Sequence, residues 1–135
     1  MPRIAWDEMY SVNINVIDRQ HQHLFKVLGD LYDWLGKEEE KEFLEAIIRE
    51  LVQYAVEHFT TEEVFMRQYD FPGYEAHKKE HEDFKTKVVS FQEDLIAGKV
   101  TLSVEVMVFL TDWLGHHILE TDKEYGPFLN KKGVF

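Results

Sequence analysis

His77-Lys78-Lys79-Glu80-His81 opens a long periodic segment, and its reading decides the fold. Two histidines four residues apart share one face of a helix. Tyr74 precedes them on that face, and Phe84, Val88, Phe91 and Leu95 continue it. This is the inward stripe of an amphipathic helix, with imidazoles where a core would carry leucines. Three further segments have the same kind of stripe. The first reads Ile17, His21, Leu24, Leu28, Leu31, Leu35. The second reads Leu44, Ile47, Leu51, Tyr54, His58, Glu62, Phe65. The last reads Val106, Leu110, Trp113, His117.

Sparse glycine and proline separate these segments. Gly36, Pro72-Gly73, Gly98 and Gly126-Pro127 mark the breaks. The pattern predicts helices over Asp18–Leu35, Glu39–Gln68, Tyr74–Ala97 and Leu102–Tyr125. Asp18 is the expected N-cap of the first, and Thr101 or Ser103 of the last. Glu38, Glu39 and Glu40 favour the positive end of the second helix, and Lys37–Glu42 is a solvated charge run. Short connections between four such helices imply an all-α, up-down-up-down antiparallel four-helix bundle. Residues 1–17 form a non-helical N-terminal arm, with Trp6, Tyr10, Val12, Ile14 and Val16 placed to pack across the bundle. The chain reads as a single domain over residues 1–135, with the bundle at 18–125.

Composition narrows the function. The chain has 135 residues and 44% apolar content, enough for one core. It has no cysteine, so disulfides, thiolate sites and iron–sulfur clusters are excluded. A formal charge of −11 disfavours nucleic acid and anionic membrane as partners. No apolar run approaches the roughly 20 residues of a membrane span, so no membrane insertion is expected. The N-terminus lacks the pattern of a signal peptide, and a soluble, cytoplasmic protein is expected.

Seven histidines remain to be explained. His23 falls with Gln20 and Asp30 on a largely polar face, and His116 lies on a flank. The others, His21, His58, His77, His81 and His117, lie on the apolar stripes of all four helices. His21 and His77 are early in their helices, while His58 and His117 are late. In an up-down-up-down bundle those places share one end. At about 1.5 Å rise per residue they fall within about two turns of each other. Glu62 shares a face with His58. A carboxylate among apolar residues is costly unless compensated, and a bound cation would compensate it. Glu63, one position round, is expected in water.

The fourth helix leaves alternatives open. Spacing alone pairs His116 with Glu120, whereas the core stripe selects His117. Asp122 is five residues after His117, turned about 140° away in a regular helix. It reaches the site only through a local widening, such as a π-type turn. Imidazole suits zinc, copper, iron and nickel, and carboxylates add a preference for harder cations. So many histidines suit two ions rather than one. The Glu-x-x-His pattern of ferritin-like sites and the His-Glu-x-x-His of metalloproteases are both absent.

Four motifs together resemble the hemerythrins, and the bacterial ones in particular. They are Asp18-Arg19-Gln20-His21, His58-Phe59-Thr60-Thr61-Glu62-Glu63, His77-Lys78-Lys79-Glu80-His81 and His117-Ile118-Leu119-Glu120-Thr121-Asp122. The resemblance covers nearly the whole chain and implies a single hemerythrin-like domain. It implies two non-haem Fe ions with an oxo/hydroxo bridge, one held by His77, His81 and His117, the other by His21 and His58. Glu62 and Asp122 would bridge both. The second iron would keep one position open for dioxygen, with azide or similar small anions as analogues. Leu24, Phe59, Trp113, Ile118 and Leu119 match the family's oxygen pocket, an apolar lining expected to offer no proton donor.

The implied function is reversible dioxygen binding, for storage or delivery to an oxygen-using enzyme, without catalysis. The alternatives are an oxygen or redox sensing module, and a di-iron enzyme handling peroxide or nitric oxide. A sensor would need an output domain for which 135 residues leave no room. No inward general acid beyond the ligands is visible, which counts against catalysis. A non-metal helical interaction module would leave the clustered imidazoles and carboxylates uncompensated.

Overall fold

The computed structural model describes residues 5–35, 40–99 and 102–135. Among them lie a 3₁₀ turn (Glu8–Tyr10) and helices α1 (Asn15–Trp34), α2 (Glu40–Gln68), α3 (Tyr74–Ala97) and α4 (Leu102–Trp113). A π-helical segment (Leu114–Thr121) then joins α4 to α5 (Asp122–Lys131). No strand is present among the described residues. Contacts run α1–α2, α2–α3, α3–α4 and α1–α4, so each rod packs against the next and the ring closes. This is the four-helix bundle expected from the stripes. None of its described helices is long and apolar enough to cross a membrane.

The helix ends correct several expectations. Asp18 is not an N-cap, because α1 begins earlier, at Asn15. Its carboxylate instead accepts hydrogen bonds from the Val12 amide at 2.9 Å and the Ser11 hydroxyl, tying the arm to the bundle. Ser103 is buried inside α4 rather than capping it. Gly36, Glu38, Glu39 and Thr101 lie outside the described residues. Gly98 does end α3, at φ +77°, where the left-handed region suits glycine.

Gly126-Pro127 does not end the last rod, which runs on to Lys131 with Pro127 inside it. A proline there costs one backbone hydrogen bond. Packing on both sides offsets it, because Tyr125 and Leu129 are buried against Val12, Ile14 and Ile17. Gly126 serves the arm. A Cβ at that position would lie 2.9 Å from the Val12 carbonyl oxygen, so only glycine lets the arm cross so closely.

The core has two parts. The larger fills the bundle from Leu24, Phe59, Phe84 and Trp113 down to Leu31, Leu44 and Leu102. The smaller, around Ile14, Ile17, Tyr125 and Leu129, closes the other end. The arm serves both. Trp6 and Tyr10 pack on Phe25, at ring distances of 5.6 and 4.4 Å, while Val12 and Ile14 join the smaller cluster. Between the two parts lies a layer of buried polar side chains.

Candidate metal centre

That layer is made of His21, His58, Glu62, His77, His81, His117 and Asp122, none more than 2% exposed. Their ligand atoms form two groups sharing Glu62. One is Glu62, His77, His81 and His117; the other is His21, His58, Glu62 and Asp122. The atoms of each group lie within 4.8 Å of one another. Asp122 also spans the groups. Its Oδ1 sits 2.9 Å from His77 Nε2 and 3.0 Å from His117 Nε2, and its Oδ2 sits 3.0 Å from His21 Nε2. Glu62 Oε1 lies 2.9 Å from His58 Nε2 and 3.2 Å from His81 Nε2. Each carboxylate therefore reaches imidazoles of both groups.

The π-helical segment is what brings Asp122 in. The Asp122 amide donates to the His117 carbonyl five residues back, the bond that defines the widened turn. Asp122 is fully buried as a result. His116 stays at the surface, 68% exposed in its side chain, and pairs with Glu120 at 3.0 Å. The spacing of that pair reflects an ordinary exposed ion pair, not a site.

Several inward atoms lack a hydrogen-bond partner: both oxygens of Glu62 and of Asp122, and Nε2 of His77, His81 and His117. Buried polar atoms left unpaired in one place are expensive, and coordination to cations would satisfy all of them. The electrostatics agree. Burial pulls the His77 imidazole down, but the adjoining Asp122 and Glu62 carboxylates carry it up to about 10. Burial likewise opposes His117, which the nearby Asp122 carboxylate lifts to about 9. Burial pushes the Glu62 and Asp122 carboxyls up, yet the surrounding imidazoles hold both well below the carboxylate range. His58 is lowered, chiefly by burial. Without cations, protons on imidazoles balance the carboxylates.

A second ring of residues orients the imidazoles. Glu63 accepts from His81 Nδ1 at 2.9 Å, so it is not in water as its position suggested. Glu80 accepts from His117 Nδ1 at 3.0 Å and from the Thr121 hydroxyl. Gln20 Oε1 lies 2.7 Å from His58 Nδ1, and its amide donates to Thr61. Gln20, Glu63, Glu80 and Thr121 all stand inside the quoted motifs, but nothing in residue spacing showed that they face across to another helix. Such partners fix ring orientation and raise ligand basicity.

The expected pocket residues divide. Leu24, Phe59, Trp113 and Ile118 are buried in the larger core, whereas Leu119 is half-buried. Phe59 stacks on His81 at 3.9 Å and Trp113 on His117 at 4.0 Å. The lining is not purely apolar. Tyr54 stacks on His58 at 5.0 Å, and its hydroxyl is buried. Burial, reinforced by Glu62 and Asp122, holds that phenol well above its ordinary range, so it stays protonated. Tyr54 and His58 also form the inner wall of a pocket of about 260 Å³ that opens beside Arg19 and His23.

Fold and centre together define a four-helix-bundle protein with a buried layer of imidazoles and carboxylates suited to hold a pair of cations. The sequence matches the family described as Hemerythrin HHE cation binding domain over residues 12–129, and the chain belongs to the hemerythrin family. It is 32% identical to the bacteriohemerythrin of Clostridium acetobutylicum over 125 residues, covering 90% of this chain and 97% of the relative. It is 30% identical to the bacteriohemerythrin of Methylococcus capsulatus, covering 90% and 92%. The crystal structure of a wild-type hemerythrin superposes with a TM-score of 0.80 at 28% identity, covering 93% of this chain and 97% of that one. The donor set, imidazole and carboxylate without thiolate, fits the family's di-iron centre.

Proposed function

We propose that the chain binds dioxygen reversibly at two non-haem irons, one held by His77, His81 and His117 and the other by His21 and His58, with Glu62 and Asp122 bridging. The observation that carries this reading is the asymmetry of the two groups. They share Glu62, and Asp122 reaches imidazoles of both, but one has an imidazole fewer, which would leave one iron a free position. Ferrous ions held by these residues would supply the electrons for binding dioxygen. The chain's own residues do the rest. Glu62 and Asp122 fix the spacing of the ions, the outer carboxylates hold the imidazoles in place, and the buried aromatic residues keep bulk water away. A site closed in this way favours release of the ligand unchanged over its onward chemistry.

In this role the protein is a cytoplasmic oxygen store or supplier to an oxygen-using enzyme rather than a catalyst. Small anions such as azide would compete for the same position. Purified ferrous protein should gain a visible absorption band in air and lose it under vacuum over repeated cycles. Oxidation in a single step with no return on evacuation would reject reversible binding.

A further inference from the structure

Two of the site's neighbours have matching positions. Tyr54 stands one turn before His58 on α2, and Trp113 one turn before His117 on α4. Each lays its ring on that histidine, at interplanar angles of 22° and 13°. With Phe59 and Phe84 they build an aromatic layer next to the ligand layer: Tyr54–Phe84 is 5.8 Å, Phe84–Trp113 4.7 Å and Phe59–Trp113 5.8 Å. This layer carries two polar atoms, the Tyr54 hydroxyl and the Trp113 indole N–H. Both are buried, and neither has a hydrogen-bond partner. The indole N–H lies close enough to the phenol oxygen to oppose, in part, the upward shift of the phenol, which leaves the phenol hydrogen as the group without an acceptor.

An unpaired buried hydroxyl is destabilising, and phenylalanine would fill the same space without it. The phenol hydrogen therefore favours an acceptor that arrives with a ligand. The phenol lies within electrostatic reach of both Glu62 and Asp122, and its ring covers His58, an imidazole of the group with the free position. We infer that the Tyr54 hydroxyl is a hydrogen-bond donor to a small ligand held on the His21–His58 side of the centre. The class of ligand is a di- or triatomic molecule or anion with an exposed acceptor atom. This rests on the open position argued above. It makes Tyr54 a specificity-determining residue, favouring ligands that accept a hydrogen bond over those that do not, such as carbon monoxide.

Azide on the diferric protein is the probe, followed by titration and by its infrared stretch in H₂O and D₂O. Tyr54→Phe should bind azide about 5-fold more weakly, the loss of one net hydrogen bond. Its azide band should lose most of the solvent-isotope shift, with iron content unchanged. Metal-free Tyr54→Phe should melt at or above the temperature of the metal-free parent, because an unpaired hydroxyl is gone. Parental affinity and isotope shift in Tyr54→Phe would overturn the inference, and so would a lower melting temperature of the metal-free variant, which would mean the hydroxyl already has a partner. A parent protein that holds iron but binds no azide would instead refute the open position itself.

Discussion

Glu63 and Glu80 reach across helix boundaries to hold His81 and His117, while His58 is held by the neutral amide of Gln20. The carboxylates thus fall on the group richer in imidazole. A carboxylate acceptor raises the basicity of an imidazole more than an amide does, so that group should hold its ion more tightly. Glu80→Gln keeps the size of the side chain but removes the charge. It should lower iron affinity by roughly 10-fold, read by competition with a chelator, and leave helicity intact. Unchanged affinity would mean that the hydrogen bond from His117 only fills space. Apart from Asp122, the ligand-side residues were legible from their spacing because each lies on an apolar stripe. Their outer partners were not, since facing across an interface depends on helix rotation that a single stripe does not fix.

At the scale of elements, the fourth rod shows where periodicity stops being informative. A regular helix would carry Asp122 away from the site, and only the widened turn from Leu114 to Thr121 returns it. The five-residue interval from His117 to Asp122 was the trace of that turn in the sequence, though spacing alone also allowed His116 with Glu120. The continuation of α5 through Pro127 left no such trace, because tertiary packing by Tyr125 and Leu129 outweighs the local cost of proline. The arm depends on the same stretch. Gly126→Ala would put a methyl group against the Val12 backbone, which cannot move aside as a flexible side chain would. It should destabilise the protein by about 1–3 kcal/mol in denaturant unfolding. An unaltered unfolding midpoint would show that the arm is free to lift.

For the whole molecule, the ligand layer is a polar disc between two apolar clusters, and its charge balance governs stability. In the metal-free protein His77 and His117 are raised to about 10 and about 9 against an ordinary 6.5. Groups raised in the folded state contribute stability that is fully present below about pH 6.5. That contribution is lost as pH rises through 9 to 10. Metal-free protein should therefore melt at progressively lower temperature from pH 7 to pH 10. Iron-loaded protein, whose imidazoles bind metal rather than protons, should change much less over that range. Equal pH dependence of the two forms would argue that the histidines are not the ligands. The bundle, the level of the site and six of its seven inward residues could be read from four stripes, while Asp122 came in only through the family resemblance. The arm's crossing, the outer carboxylates and the buried phenol could not, because each depends on a contact between elements far apart in sequence.

A pair of ions sharing two carboxylates but not sharing imidazoles equally would be seen by anomalous diffraction at the iron edge from crystals of the iron-loaded protein. Two peaks are predicted about 3.5–4 Å apart. One should be bounded by His77, His81 and His117, the other by His21 and His58, with Glu62 and Asp122 touching both. A single peak, or a second one held outside these residues, would contradict the account.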